Sequence, residues 1–596
     1  MTICAVDIET YDPNLKELGP GDIRKDGCIL GVGMYSKELN IEGYYDVSEP
    51  IVKDILSDGN ILKVFHNAVY DTNWLVNGYG LEVNNVDDTM TRETLLDAYA
   101  TSYSLDACCI RRGLTGKNKS DTIDKYWTGK GKAIQNLHRI PREIVAKYCI
   151  QDCVATYSLW HAQQPLLTAQ GLDRANDIEK KLYPVLWAMR KNGIRVDWEY
   201  RDKLSRELNE EHSKGVAELE RQYGITELSF NKATHLEKMW RAEGIPVQTT
   251  ASGRPSFTKE IIANTNHPLA QKVLRLKKLD KLLGTFIDGS LITHEIDGKI
   301  HCVFYPAKRD DGGTVTGRWS SQHINMQQQP RDSWYRDMFI PEEDCYLGAF
   351  DYKQIEYRVF AHFATGPGSD EVKYKYNNDP DTDYHQMTVD IMVWNAMGKH
   401  GRILAKNFSF GSLYGLGLPG FVARFTPDIL HSHPELDPED SAGIRATAEK
   451  LRNEYFARVP FVKTTCDLIQ RIGKVRGYVI TLAGRRQRMP KDKAAYKLIN
   501  YLIQGSAADI LKKGMADAYD AGVFNVLIPH LTVHDEVVFS IPKTLAGAEA
   551  TRELQSCMEN AYKLDVPIAI DTEIGTRWGN CNEATYKEFM NGFKLF

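Results

Sequence analysis

The sequence predicts a multidomain protein of mixed α/β and α+β architecture. The chain has 596 residues, enough for several domains at roughly 150 residues each. With 42% hydrophobic and 26% charged residues, its composition is typical of soluble globular proteins and not of disordered or collagenous chains. Short apolar strands alternate with helical stretches in residues 1–165, which indicates an α/β unit, and strand patterns return after residue 299.

Membrane, secreted and zinc-binding classes are not favoured. No apolar run approaches the roughly 20 residues that span a bilayer, and the opening MTICAVDIET lacks the basic start of a signal peptide. We therefore expect a cytoplasmic protein without a membrane partner. The eleven cysteines lack CxxC pairs, so we interpret them as reduced core residues. The net charge of −5 leaves nucleic-acid binding open, because catalytic carboxylates can offset a local basic groove.

The elements follow in order along the chain. Strands are predicted at Ile3–Ile8, Ile29–Tyr35 and Ile61–Phe65, and a helical pattern at Asp173–Arg190 stops at Asn192-Gly193. Asp197 is a plausible N-cap for the mostly helical residues 197–290. Residues 271–281 of that module hold five Lys or Arg against one Asp, which on its own favours a solvated amphipathic helix over a phosphate contact.

Strand patterns return in the second half. They occur at Lys299–Tyr305, Tyr346–Phe350 and Val526–Ser540, separated by a long block from about 385 to 515 that we predict to be helical.

Acidic residues in the first 165 positions form a candidate metal site. Asp7 and Glu9 share one face of a strand and would repel each other without a cation. Asp71 follows a strand, and Tyr148 precedes Asp152 by one helical turn. Each signal has an alternative: chance for the first pair, a helix cap for Asp71, and a surface pair for Tyr148 with Asp152.

In their order, these segments resemble the three exonuclease motifs of the DEDD superfamily of 3′–5′ exonucleases, in its tyrosine-containing branch. The resemblance implies that Asp7, Glu9, Asp71 and Asp152 bind two Mg²⁺ ions, or Mn²⁺, and that Tyr148 orients the attacking water.

Three further segments carry chemistry in the second half. Asp351 ends an apolar strand, and Asp535 lies in a polar triplet between two apolar strands, where a hairpin tip would bring it to the same sheet edge. Between them, two cations and two aromatic residues recur every four positions, which predicts one helix face: Arg402, Lys406, Phe410 and Tyr414. Such a face suits a triphosphate and a base, whereas a core-facing aromatic stripe is the alternative.

These segments resemble motifs A, B and C of family A DNA polymerases, the family of bacterial DNA polymerase I and many phage replicative polymerases. NGIRVD, TGRWSS, GYVITLAGRR and NYLIQGSAADI have counterparts there in the same order. The resemblance implies a ribonuclease-H-like exonuclease domain (1–165), a connection (166–196) and a right-hand polymerase. The polymerase would comprise a thumb (197–290), palm (291–384 and 491–596) and fingers (385–490). We expect the bacterial enzyme's 5′-nuclease domain to be missing.

The resemblance also implies residue roles. Asp351, Asp535 and the Tyr352 carbonyl would bind two metal ions, and Lys406 would protonate the departing pyrophosphate. His385, Arg402 and Lys406 would contact the triphosphate, Phe410 would lie near the incoming sugar, and Tyr414 would pack on the nascent base pair. Glu356 would exclude a ribose 2′-hydroxyl. The residues implied to contact DNA are Arg318, Asn325, Gln327, Asn500, Gln504 and His534.

The implied activity is template-directed DNA synthesis with proofreading, in phage replication or alternatively in repair. Its substrates would be primer-template DNA and dNTPs, and its candidate partners are a helicase, a primase, a single-strand binding protein or a processivity factor. A single-subunit RNA polymerase is disfavoured by Glu356, and an inactive polymerase half by the intact aspartates. Lys353, Tyr357 and Trp319 stand where the bacterial pattern has other residues, so DNA grip or speed could differ.

Overall fold

The structure is a computed structural model that describes residues 2–115, 123–250, 252–392 and 398–593, without the side chains of 398–400, 403 and 410. The chain forms two compact units. The larger comprises Met1–Ile194, His301–Gln328 and Pro341–Phe596, and the smaller comprises Arg195–Ile300 and Gln329–Ile340. No helix among the described residues is both long and apolar enough to cross a membrane.

The strands, in chain order, are β1 Thr2–Tyr11, β2 Cys28–Ser36, β3 Ile41–Tyr45, β4 Ile61–Phe65, β5 Val86–Asp88, β6 Ile194–Val196, β7 Glu295–Ile296, β8 Lys299–Ile300, β9 Val303–Tyr305, β10 Ser320–Gln322, β11 Phe339–Ile340, β12 Cys345–Tyr352, β13 Tyr478–Ile480, β14 Arg486–Arg488, β15 Ile528–Val533, β16 Glu536–Pro542 and β17 Ile570–Gly575.

The helices are α1 Leu15–Leu18, α2 Pro50–Ser57, α3 Ala68–Asn73, α4 Thr89–Leu96, α5 Leu105–Arg111, α6 Arg142–Gln170, α7 Asp173–Lys181, α8 Tyr183–Asn192, α9 Trp198–Tyr223, α10 Ala233–Ala242, α11 Lys259–Ala263, α12 Pro268–Lys281, α13 Leu291–Thr293, α14 Ser333–Arg336, α15 Ile355–Phe363, α16 Ser369–Asn378, α17 Tyr384–Met392, α18 Gly398–Leu413, α19 Leu418–Ser432, α20 Ser441–Arg458, α21 Pro460–Arg476, α22 Lys497–Asp520, α23 Leu545–Glu559 and α24 Glu583–Gly592.

The first sheet has the order β3-β2-β1-β4-β5. Its central strand β1 runs antiparallel to β2 and parallel to β4, so the three predicted strands of this region are confirmed. Helix α6 packs on the sheet: Cys153, Tyr157 and Trp160 join apolar residues of β1 and β4 in one buried cluster. One face of β1 therefore packs against α6.

The smaller unit is mostly helical, as predicted. Asp197 caps α9 by accepting the backbone N–H of Tyr200 at 2.9 Å, which confirms the predicted start of that helix. The basic segment forms part of α12, where Leu276 and Leu279 are buried and Lys278 pairs with Asp332 at 2.9 Å. A small sheet of order β11-β6-β8-β7 completes the unit.

A second sheet, of order β15-β16-β12-β17, is entirely antiparallel. It confirms the strands predicted near Tyr346 and after Val526. The helical block predicted between about 385 and 515 is mostly helical, but the prediction is wrong where the hairpin of β13 and β14 lies within it. Apolar residues of this hairpin such as Val479 are buried, so tertiary packing outweighs the helical pattern around it.

A buried ionic network fixes α22 in the larger unit. Glu179 of α7 accepts from Lys512 of α22 at 2.6 Å and also from Arg485, which in turn donates to Asp509 at 2.6 Å. All four side chains are at least nine-tenths buried. The network joins α7, the β13–β14 hairpin and α22, whose N-terminal turns carry Asn500 and Gln504.

Candidate active sites

The first candidate site lies on β1 where α6 crosses it. Single ligand atoms of Asp7, Glu9 and Cys149 all lie within 4.8 Å of one another, and the Cys149 thiol donates to Asp7 Oδ2 at 3.4 Å. The close approach depends on Gly33, which pairs with Asp7 across the sheet: a Cβ at Gly33 would lie 2.6 Å from Cys149 Sγ. Asp7 and Glu9 therefore face α6, as their spacing predicted.

Asp71 belongs to the same site. Its Oδ1 accepts the backbone N–H of Ile8 at 3.1 Å, directly between Asp7 and Glu9. Burial, and then the charge of Asp7, raises the pKa of Asp71 well above its usual range. The helix-cap alternative is wrong, because α3 begins at Ala68 and Asp71 lies inside it.

Asp88 shapes the turn that leads to Asp71. Its carboxylate accepts the backbone N–H groups of Asn67 at 3.0 Å and Ala68 at 3.2 Å, and it also caps α4 through Met90 at 2.8 Å. These bonds hold the β4–α3 turn in place. Asp88 therefore has a structural role beside the site.

Tyr148 and Asp152 of α6 complete the group. They are 4% and 5% exposed, so the alternative of a surface pair is wrong. Burial, and then the charges of Asp152, Glu9 and Asp7, raises the pKa of the Tyr148 phenol above its usual range, which leaves it protonated near neutral pH. Carboxylate oxygens are the donors that Mg²⁺ or Mn²⁺ prefers, and Asp7 and Glu9 place one such oxygen each within 4.8 Å of the other, so this pair fits such an ion.

The second candidate site lies at one end of the antiparallel sheet. On β12, Asp351 pairs with Glu536 of β16 on one side and with Asp571 of β17 on the other. Asp535 lies in the turn His534-Asp535 between β15 and β16, where His534 has a φ of +58°. Asp535 thus precedes the residue that pairs with Asp351, and the predicted placement at a hairpin tip is confirmed.

Arg318 contacts two acidic side chains of this site. Its Nη2 donates to Glu356 Oε1 at 2.6 Å and lies 3.7 Å from Asp535 Oδ1. The Tyr414 hydroxyl donates to the other oxygen of Glu356. Burial, and then the charge of Asp535, raises the pKa of Glu356, although Arg318 opposes this shift. Glu356 and Tyr414 are therefore in direct contact.

Helices α17 and α18 bring His385 close to two cationic residues, Arg402 and Lys406. His385 is buried on α17, and burial together with the nearby charges of Lys406 and Arg402 lowers its pKa to about 4, so the imidazole is neutral near pH 7. Arg402 and Lys406 are exposed on α18. Tyr414 lies in the turn after α18, so the helical stripe was predicted one residue too long. The side chain of Phe410 lies outside the described residues.

Four of the six predicted DNA contacts line one cavity of about 220 Å³. This cavity also contains Asp535, and its predicted members are Arg318, Asn325, Gln327 and His534. Asn500 and Gln504 lie one turn apart on α22 and are not among its lining residues. The structure therefore gathers most of this set beside Asp535.

The three departures from the bacterial pattern all have structural partners. Lys353 pairs with Asp381 at 2.6 Å and Asp571 at 3.0 Å. Tyr357 stacks on Tyr384 at a ring distance of 4.6 Å and meets His385 edge-on at 4.8 Å. Trp319 is buried near Phe304.

Sequence reasoning missed two residues of these sites. Cys149 contacts Asp7, and its position three residues before Asp152 places it near the same helix face. Asp383 accepts from Arg402 Nη2 at 2.5 Å, and its position two residues before His385 was the available signal.

Comparisons with known proteins show the family to which the chain belongs. The family description "DNA polymerase family A" matches residues 198–580, and "3'-5' exonuclease" matches residues 24–168. The DNA-directed DNA polymerase of Pseudomonas phage M6 is 29% identical, over 97% of this chain and 94% of that protein. DNA polymerase DpoZ of Vibrio phage phiVC8 is 28% identical, over 90% of each chain.

More distant proteins share part or all of the architecture. DNA polymerase I of Thermus aquaticus is 30% identical over 68% of this chain and 48% of its own length. A solved structure, the POL domain of Pol1 from M. smegmatis in complex with DNA primer-template and dNTP, matches with a TM-score of 0.76. It is 24% identical and covers 97% of this chain and 95% of its own, which establishes a shared fold.

Proposed function

Since the chain belongs to DNA polymerase family A and is a DNA-directed DNA polymerase with a 3′–5′ exonuclease domain, we propose a role for each of its two carboxylate sites. The site at Asp351 and Asp535 extends the primer. The site at Asp7, Glu9, Asp71 and Asp152 removes a mismatched 3′ end. One observation carries the assignment of the extension site. His385, Arg402 and Lys406 lie near one another on α17 and α18, away from the acidic residues of β1.

Enzymes of this family depend on divalent cations, and we propose two Mg²⁺ ions per site, with Mn²⁺ as a substitute. At the extension site the ligands are Asp351, Asp535 and the Tyr352 carbonyl, and at the excision site the four carboxylates. Bound there, such ions lower the pKa of a hydroxyl nucleophile and stabilise charge on phosphate. The closely spaced ligand atoms of Asp7 and Glu9 support the excision set, and the pairing of Asp351 with Glu536, the residue after Asp535, supports the extension set.

The cationic side chains hold and neutralise the triphosphate. Arg402 and Lys406 are exposed and long enough to reach phosphate oxygens, and Lys406 supplies a proton to the departing pyrophosphate. His385 is neutral near pH 7, so it acts as a hydrogen-bond donor from one ring nitrogen. Phe410, on the same helix, completes this group near the incoming sugar.

Sugar selection and DNA contact involve the Arg318 cluster. Glu356, held by Tyr414 and Arg318, occupies the space that a ribose 2′-hydroxyl would need. Arg318, Asn325, Gln327 and His534 offer donors to the minor-groove acceptors, which are nearly alike in all base pairs and thus report pair geometry. Asn500 and Gln504 extend this contact along α22 to the template. Tyr414 packs on the nascent pair.

In the excision site Tyr148 orients the attacking water. Its phenol stays protonated because burial and the neighbouring carboxylates disfavour the phenolate. A protonated phenol can donate one hydrogen bond and accept another, which suits a positioning role.

We assign the protein to phage DNA replication, with primer-template DNA and dNTPs as substrates and a helicase, primase, single-strand binding protein or processivity factor as replisome partners. The DNA polymerase of Pseudomonas phage M6 is similar over 97% of this chain, and that of Vibrio phage phiVC8 over 90%. This similarity to phage DNA polymerases supports a replicative phage enzyme over a repair polymerase.

The test of the assigned activity is extension of a primed template by the wild type with dNTPs or with NTPs. We expect extension with dNTPs only, and extension by the Asp535→Ala variant to fall to background. Extension with NTPs alone would instead identify an RNA polymerase. Absence of extension with either set, in a folded wild type, would show that the polymerase half is inactive.

A further inference from the structure

Asp383 lies at the junction of three segments of the extension site. Its Oδ1 accepts from Gln354 Nε2 at 2.9 Å and from the backbone N–H groups of His385 at 2.8 Å and Gln386 at 3.3 Å. Its Oδ2 accepts from Arg402 Nε at 3.2 Å and Nη2 at 2.5 Å. One carboxylate thus joins the turn after β12, the start of α17 and the cation of α18.

The two oxygens of Asp383 have different partners, and this division suggests two tasks. Oδ1 faces groups that build the site, because Gln354 also accepts the backbone N–H of Tyr384 at 3.1 Å. Oδ2 faces only the Arg402 guanidinium among its hydrogen-bond donors in the described residues. Although burial opposes the shift, the bonds from Arg402 and Gln354 lower the pKa of Asp383, so this carboxylate is ionised near neutral pH.

We propose that Asp383 is a positioning residue that competes with the incoming triphosphate for Arg402 and thereby sets the affinity of the polymerase for dNTPs. The proposal rests on the role assigned to Arg402 above. Two of the guanidinium N–H groups are engaged by Oδ2, and a phosphate that takes the same donors must displace the carboxylate. The negative charge of Asp383 also opposes an approaching triphosphate.

The size of the effect follows from the exposure of the pair. The Arg402 side chain is 50% exposed and that of Asp383 is 28% exposed. Ion pairs at such exposure contribute modestly, so release of Arg402 should strengthen triphosphate binding about two- to fivefold. A lysine at 402 could not replace this arrangement, because the pair uses Nε and Nη2 of one planar group.

The Asp383→Asn variant separates the two tasks. The amide oxygen can take the place of Oδ1 and keep the bonds to Gln354 and α17, whereas the amide nitrogen meets Arg402 as a donor and removes the competing acceptor. Asp390→Asn is the matched control, since it removes one negative charge from α17, the helix that directly follows Asp383, and Asp390 accepts from Gln386 at 3.0 Å. Asp383→Ser retains a helix-capping hydroxyl and is the second variant if the amide disturbs folding.

The measurement is steady-state KM and kcat for single dNTP incorporation, with pyrophosphate inhibition as an independent probe. All variants carry Asp7→Ala and Glu9→Ala so that excision does not consume product. We expect Asp383→Asn to lower KM and the pyrophosphate inhibition constant about two- to fivefold without an equal change in kcat. Asp390→Asn should leave KM unchanged.

The Arg402→Ala background separates the role of Arg402 in triphosphate binding from the competition by Asp383. With Arg402 removed, KM should rise, and Asp383→Asn should then have no effect on KM. An unchanged or raised KM in Asp383→Asn, or an equal fall in the Arg402→Ala background, would overturn the competition while leaving the role of Arg402 intact. If Arg402→Ala itself leaves KM unchanged, the role proposed for Arg402 is wrong, and the competition with it.

Discussion

The two carboxylate sites of this protein are built in different ways. In the excision site Glu9, Asp71 and Asp152 are 5–6% exposed and lie between a sheet and a long helix, next to a thiol and a phenol. In the extension site Asp351 is exposed, and Asp535 lies 3.7 Å from the Arg318 guanidinium. The excision site concentrates negative charge in a buried place, and the extension site balances it with cations from other segments.

This difference shows how charge is stabilised in each site. Burial and Asp7 raise the pKa of Asp71, so the excision cluster is costly until a cation is bound. At the extension site, Arg318, Arg402, Lys406 and the neutral His385 supply donors before any substrate arrives. We therefore expect the two sites to fail independently, and the extension site to depend more on the packing that positions its cations.

The largest expected effect is at Asp535. Replacing it with Ala removes a proposed metal ligand, and nucleotide incorporation should fall by about three orders of magnitude or more, about 4 kcal/mol in the barrier. Excision of a mismatched 3′ end should remain near the wild-type rate, measured on the same primer. A parallel loss of both activities in a folded variant would contradict the independence of the sites.

The next largest effect is on thermal stability, and it tests the buried ion pairs that hold α22. Glu179→Ala leaves Arg485 and Lys512 buried without their shared carboxylate, and removing one partner of a buried ion pair costs about 3–5 kcal/mol. We expect a marked fall in the melting temperature, which calorimetry measures. The control is Glu210→Ala, which removes an exposed ion pair with Lys214 and should change the melting temperature little.

A smaller effect concerns pH. The pKa of His385 is lowered to about 4 in the folded chain, below about 6.5 in an unfolded chain. The unfolded state therefore takes up the proton first, and the stability that His385 contributes above pH 6.5 is lost as the pH falls toward 4. Between pH 7 and pH 5 the wild type should lose about 2 kcal/mol more than His385→Gln in urea titrations.

The control for this experiment is His431→Gln, which removes an exposed imidazole and should leave the pH dependence of the stability as it is in the wild type. An identical pH dependence in the wild type and His385→Gln would show that His385 is not buried beside Lys406 and Arg402.

The smallest effect concerns sugar choice. Glu356→Ala opens the space beside Tyr414, so the preference for deoxynucleotides over ribonucleotides should fall on the order of tenfold or more. This preference is measured as the ratio of kcat/KM for a dNTP to that for the NTP with the same base. A ratio that stays at the wild-type value would show that Glu356 does not limit the sugar pocket.

Local patterns predicted much of this molecule. Asp7 with Glu9 follows from strand alternation, Tyr148 with Asp152 from helix spacing, and Asp535 from the polar turn between two apolar strands. Contacts between distant segments were not predicted. Arg485 meets Glu179 across 306 positions, and the β13–β14 hairpin forms because packing outweighs the helical pattern. Periodicity reports only which face a residue occupies, so such partners need the three-dimensional structure.

The most direct test of two separate sites in one chain compares a matched primer with a primer that has a mismatched 3′ end, each given dNTPs. The Asp7→Ala and Glu9→Ala double variant should extend a matched primer at close to the wild-type rate and leave the mismatched end uncut. The Asp535→Ala variant should shorten the mismatched primer and not extend it. Loss of matched-primer extension in the double variant, with its fold intact, would contradict the account.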